Sequence, residues 1–118
     1  MLYLTQFEYV EPGPVFSPEQ VTNMVENAIA SSLDAVVRYQ EEGKILAAGV
    51  IAGSKGSAMI LDVADNNELS TTLQSLPFWS IMKVKVTPLQ AFSERAEQEK
   101  AAVAYLKSPA GESFKRAW

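Results

Sequence analysis

Hydrophobic and polar positions change period several times along this chain, and each change marks an element. Residues 2–10 alternate loosely, with Tyr3, Thr5, Phe7 and Tyr9 on one side and Leu4, Gln6, Glu8 and Val10 on the other. That period of two predicts a strand. "EPGP" at 11–14 breaks any regular element. Beyond it the period becomes helical: Val21, Met24, Val25, Ala28, Ile29, Ser32, Val36 and Val37 share one face. Ser17 is placed to cap that helix, Pro18 fits its first position and Gln20 completes a capping box. Gly43 is placed to end it in a left-handed conformation.

Two apolar runs follow, "KILAAGVIAG" and "SAMILDVA", joined by "SKG" with glycine on both sides, the pattern of a hairpin. Asp65 or Asn66 caps a second helix through Leu69, Leu73 and Leu76, and Pro77 stops it. "SIMKVKVTP" reads as a fourth strand ended by Pro88. From Phe92 to Leu106 a charged "ERAEQEK" stretch opposes Ala96, Val103 and Leu106, as in an amphipathic helix. A frayed end through "SPAGESFKRAW" is expected after it.

The order strand, helix, strand, strand, helix, strand is that of an α+β, ferredoxin-like antiparallel sheet, here with an extra C-terminal helix. Residues 1–90 form the ferredoxin-like unit and 91–118 a helical extension of the same domain. Helices cover one face of such a sheet, so the other face must be wetted or covered. Either the tail helix covers it, or a partner subunit stacks its own sheet there. The second is the economical arrangement and predicts a homodimer or larger homo-oligomer.

The stretches "EEGKILAAGVIAG" and "MILDVADNNELSTTLQSLPFWSIMKVKVTPL" resemble the muconolactone delta-isomerase family of the dimeric α+β barrel superfamily. The matching features are the Gly ending the long helix, the "AG" closing strand two and the "DV" ending strand three. A polar-capped helix then finishes in "LP" plus an aromatic, before a strand ending "PL". The resemblance covers roughly residues 2–90 and implies a barrel built from two sheets packed face to face. It also implies a small organic ligand such as a lactone, and an isomerisation needing neither cofactor nor metal. His and Arg in the strand after the long helix, and acidic residues in that helix, are implied as well. Ala47, Ala48, Gly49 and Val50 occupy the strand positions here, and Ser31 and Ser32 stand near the acidic ones. No catalytic residue is therefore carried over.

Composition narrows the chemistry further. The 118 residues carry a net charge of −4 and contain no cysteine and no histidine. Disulfides, thiolate chemistry and every histidine-based nucleophile arrangement are excluded. The acidic balance argues against nucleic acid or an anionic membrane as partner. "MLYLTQFEYV" reads as a strand rather than a signal sequence, and a cytoplasmic protein is expected.

The remaining candidates lie on strands one and four. Met82, Val84 and Val86 form the apolar set of strand four, leaving Lys83, Lys85 and Thr87 on the other face. If strands one and four are neighbours, Gln6 and Glu8 lie near Lys83 and Lys85. A catalytic reading makes Glu8 a base and Lys83 or Lys85 an electrophilic or anion-binding partner. The plainer reading is cross-strand charge pairing on a solvated sheet, at roughly 0.2–1 kcal/mol per pair. Phe78 and Trp79 are candidates for a ligand-pocket wall or a subunit interface, with the core as the simpler alternative. "GSKGS" lacks phosphate-loop spacing and reads as a turn; Asp62, Asp65 and Glu68 read as caps and strand ends rather than metal ligands.

Overall fold

A computed structural model of the chain describes residues 1–10 and 17–117. The breaker read at 11–14 and the terminal Trp118 lie outside them. The elements are β1 (Leu2–Tyr9), α1 (Pro18–Met24), a π-helical segment (Val25–Ala30), α2 (Ser31–Glu41), β2 (Ile45–Val50) and β3 (Gly56–Asp62). There follow α3 (Asn66–Gln74), a 3₁₀ turn (Trp79–Ile81), β4 (Met82–Leu89), α4 (Phe92–Leu106) and α5 (Pro109–Arg116). The four strands pair antiparallel in the order β2-β3-β1-β4. This is the ferredoxin-like α+β arrangement expected from the element order.

The caps form for the reasons the sequence offers. Ser17 Oγ accepts from Gln20 N at 3.2 Å while Ser17 N donates to Gln20 Oε1 at 2.8 Å. Asp65 Oδ1 accepts from Glu68 N at 2.8 Å, and Ala64 N donates to Glu68 Oε2 at 2.7 Å. Gly43 closes α2 at φ +80°, where a Cβ would meet nothing but would strain the backbone.

Three expectations are corrected. The long helix contains a π segment, whose wider turn takes in an extra residue and shifts the buried face. Ser32 and Ala35 are buried as a result, while Val21, Val25 and Val37 are exposed. The fourth strand runs on through Pro88 to Leu89, because β4 is an edge strand and Pro88 can turn its missing N–H outward. The expected frayed end is a helix, α5: Ser108 Oγ accepts from Gly111 N, and Pro109 occupies the first position.

The core lies between one sheet face and the helices. It comprises Tyr3 and Phe7 of β1, Ile45, Met59 and Leu61 of the β2–β3 pair, and Leu69, Leu73, Leu76 and Phe78, with Val84 packed against it. Among the described residues, no buried side-chain polar atom lacks a partner. No helix among them is long and apolar enough to cross a membrane.

The helical tail stands apart. α4 buries no residue of its own, and its packing partner is α5, through an edge-on contact of Tyr105 with Phe114. The chain extends 71 × 32 × 26 Å with a radius of gyration of 20.9 Å. A compact chain of this length has a radius of roughly 13–14 Å.

Candidate functional site

The alternation of β1 puts Tyr3, Thr5 and Phe7 into the core and leaves Leu4, Gln6 and Glu8 on the face without helices. In β4, Met82 and Val84 pack with the core, and Lys83 and Lys85 point the opposite way. The antiparallel register sets Glu8 opposite Lys83 and Gln6 opposite Lys85. Directly opposed side chains in such a pair have Cβ atoms about 4.5–5.5 Å apart. All four are exposed on the single chain.

These residues line one side of an open groove of about 740 Å³. Its other side is the β2–β3 turn, with Ile51, Ser54, Lys55 and Gly56. The turn reaches the groove because Gly56 pairs with Glu8 and Tyr9 N donates to Lys55 O at 3.1 Å. Lys55 Nζ lies 5.4 Å from the centre of the Tyr9 ring. Tyr9 in turn donates its hydroxyl to Met24 Sδ at 3.5 Å, tying the groove's end to α1. The groove thus gathers three lysines around one glutamate on an otherwise acidic chain. Carboxylate or enolate oxygens are the ligand groups such a cluster attracts.

Lys55 is the groove residue that the sequence reading misses. Its turn was legible as a hairpin, but its position beside Glu8 follows only from the β1–β3 register. At the far end of the same open face Leu2, Leu4, Ile60 and Leu89 lie with Thr87 and Asp62 by register.

The two aromatics after Pro77 are placed elsewhere. Phe78 is only 3 % exposed, with its ring 5.1 Å from that of Phe7 on the helix side of the sheet. Its backbone N–H donates to Ser32 Oγ at 2.9 Å, and Ser32 Oγ donates to Ala28 O at 2.6 Å. Trp79 is 37 % exposed in the 3₁₀ turn. Neither ring lines the groove. The β2 positions where the family resemblance implies His and Arg hold Ala47, Ala48, Gly49 and Val50, all exposed. Among the described residues, no group of carboxylates stands close enough to hold a metal ion.

Comparison with known proteins agrees with this architecture. A crystal structure of muconolactone isomerase is similar at 25 % identity and a TM-score of 0.64, over 77 % of this chain and 90 % of that one. The fold is shared with 5-chloro-2-hydroxyhydroquinone dehydrochlorinase (TftG) from Burkholderia phenoliruptrix AC1100, solved in complex with 2,5-dihydroxybenzoquinone. That likeness has 18 % identity and a TM-score of 0.53, over 80 % of this chain and 98 % of the other. Among curated protein sequences nothing matches. The sequence model described as Muconolactone delta-isomerase matches residues 1–95, and the chain belongs to that family.

Proposed function

We propose that this protein binds a small organic acid or lactone in the open-face groove and isomerises it without a cofactor, as a homodimer or larger homo-oligomer in the cytoplasm. The register that puts Glu8 opposite Lys83 and Gln6 opposite Lys85, inside a family named for an isomerase, carries the reading. A cytoplasmic setting accords with a chain that has no cysteine.

Each residue has a part. Lys83, Lys85 and Lys55 draw the ligand's carboxylate into the groove, and Gln6 offers an amide for its second oxygen. Glu8 removes a proton from the carbon at the far end of the ligand's conjugated carbonyl system and returns it to the carbon next to the carbonyl. The negative charge that develops on the carbonyl oxygen between those steps is held by a lysine ammonium. The proton balance closes within the ligand, so no co-reactant is consumed.

Muconolactone, the ligand named by the family, is the first probe. Turnover followed by the loss of the conjugated lactone's absorbance is expected for the native chain. Glu8→Gln should lower kcat by at least about 10², the usual contribution of a positioned general base. Lys83→Gln should raise KM more than it lowers kcat, since it removes charge attraction present before and during the reaction. A native chain that neither binds nor turns over muconolactone or related lactones would overturn the reading.

Two observations favour a second reading, a catalytically silent assembly module. β2 carries no ionisable side chain, and α4 leaves Phe92 at 94 % exposure. Under that reading the groove variants bind and assemble like the native chain.

A further inference from the structure

The two sides of the groove differ in chemistry, and Glu8 stands between them. We infer that the groove fixes which way round its ligand lies: Lys85, with Gln6, seats the carboxylate on the β4 side, and Ile51 carries the apolar ring on the turn side. This rests on the groove being a binding site as proposed above. It adds the residues that select which acid enters.

Lys85 is singled out by its cross-strand neighbours. Lys83 lies directly opposite Glu8, whereas Lys85 lies opposite Gln6 and is only a diagonal neighbour of Glu8. Directly opposed Cβ atoms lie about 4.5–5.5 Å apart, diagonal positions about 7–8 Å. An anion seated at Lys83 therefore meets the like charge of Glu8 at close range, and one seated at Lys85 stands off from it. Gln6 brings an amide donor to the same carboxylate and no charge of its own. The third lysine, Lys55, is on the turn side, with its ammonium 5.4 Å from the centre of the Tyr9 ring.

Ile51 is the apolar counterpart. It follows directly on β2, and its N–H donates to Gly56 O at 2.8 Å. Its carbonyl accepts from Ser54 N and from Ser54 Oγ, each at 3.1 Å, so the turn fixes its backbone. A Cβ placed on Gly56 would lie 3.5 Å from Ile51 Cδ1, which puts the Ile51 side chain beside Gly56. Gly56 is in turn the β3 partner of Glu8. Between Glu8 and Ile51 the groove floor is thus bare backbone, on which the face of a ring can lie. Ile51 is 48 % exposed and, among the described residues, supplies the groove's one aliphatic side chain.

The row Lys83, Glu8, Gly56, Ile51 crosses the sheet at ~4.8 Å per strand, with Lys85 about 7 Å farther along β4. Cation, base, bare floor and aliphatic side chain follow one another in that order. The ligand class this order suits is an acid with one compact ring, its reacting carbon over Glu8.

Calorimetry on the full chain with muconolactone and with its methyl ester tests the orientation. The native chain should favour the acid by at least about ten-fold, as expected of hydrogen bonds to a charged group. Lys85→Gln should bring acid and ester within about two-fold of each other, and Lys85→Arg should restore the preference. Lys83→Gln should keep the acid favoured by at least about five-fold. Ile51→Ala should weaken acid and ester alike by about ten-fold, leaving their ratio unchanged. Lys85 and Ile51 are both exposed, so neither change empties the core. A native chain without preference, or a preference lost in Lys83→Gln or Lys55→Gln and kept in Lys85→Gln, would overturn the carboxylate seat. Ile51→Ala binding both compounds like the native chain would overturn the ring's position. Binding of neither compound by the native chain overturns the groove reading, and this orientation with it. The expected binding pattern without turnover supports the orientation and counts against isomerisation alone.

Discussion

Phe78 occupies the position where the helix layer, the sheet and the turn after Pro77 meet. Its ring packs on Phe7, and its N–H is held by Ser32, a side chain with no exposed surface. Phe78→Ala should lower stability by about 3–5 kcal/mol through the cavity it leaves. Ser32→Ala should cost about 1–3 kcal/mol, because a buried N–H loses its acceptor. Urea denaturation of both variants checks the pair, with the larger loss expected for Phe78→Ala. At Gly43 the strain is in the backbone rather than in a clash, so Gly43→Ala should cost about 1 kcal/mol. The alternation of β1 and β4 made Gln6, Glu8, Lys83 and Lys85 legible as one face before any fold was known. Phe78 was not legible in that way, because a residue after a helix-stopping proline has no period to read. Its role comes from Ser32, forty-six positions earlier.

At the scale of elements, local chemistry predicted what local chemistry controls. The caps at Ser17 and Asp65 and the turn at Gly43 are written in adjacent residues and form as expected. Ser108-Pro109 repeats the Ser17-Pro18 start, and α5 was missed only because it follows so closely on α4. The π segment has no such signature in the residues beside it. The α4–α5 turn depends on Gly111, where a Cβ would lie 2.2 Å from Tyr105 O and 2.6 Å from Leu106 Cα. Those are backbone atoms and cannot step aside. Gly111→Ala should therefore detach α5 from α4 while leaving residues 1–89 folded. Trypsin cleavage after Lys107 should accelerate about ten-fold for each ~1.4 kcal/mol lost, with the urea midpoint of the core unchanged.

For the whole molecule, the open face divides the legible from the illegible. Its existence followed from helices on one side of an antiparallel sheet, and the structure shows that the chain's own tail does not cover it. The groove depends on three strands and a turn coming into register, so Lys55 could enter it only once β1 and β3 were paired. The native chain should run by light scattering at two or more times its 12.9 kDa mass. Salt should weaken the binding of an anionic probe at the lysine end, since the groove's charges are exposed and screened over about 8 Å at physiological ionic strength.

The bond from the Phe78 amide to Ser32 has one more consequence. An amide held by a side chain of zero exposure, in the centre of the core, meets solvent only when helix and sheet separate together. Its proton should exchange with deuterium at the pace of global unfolding, while amides of α4 exchange through local fraying. A single backbone position thus reports the stability of residues 1–89 even while α4 frays.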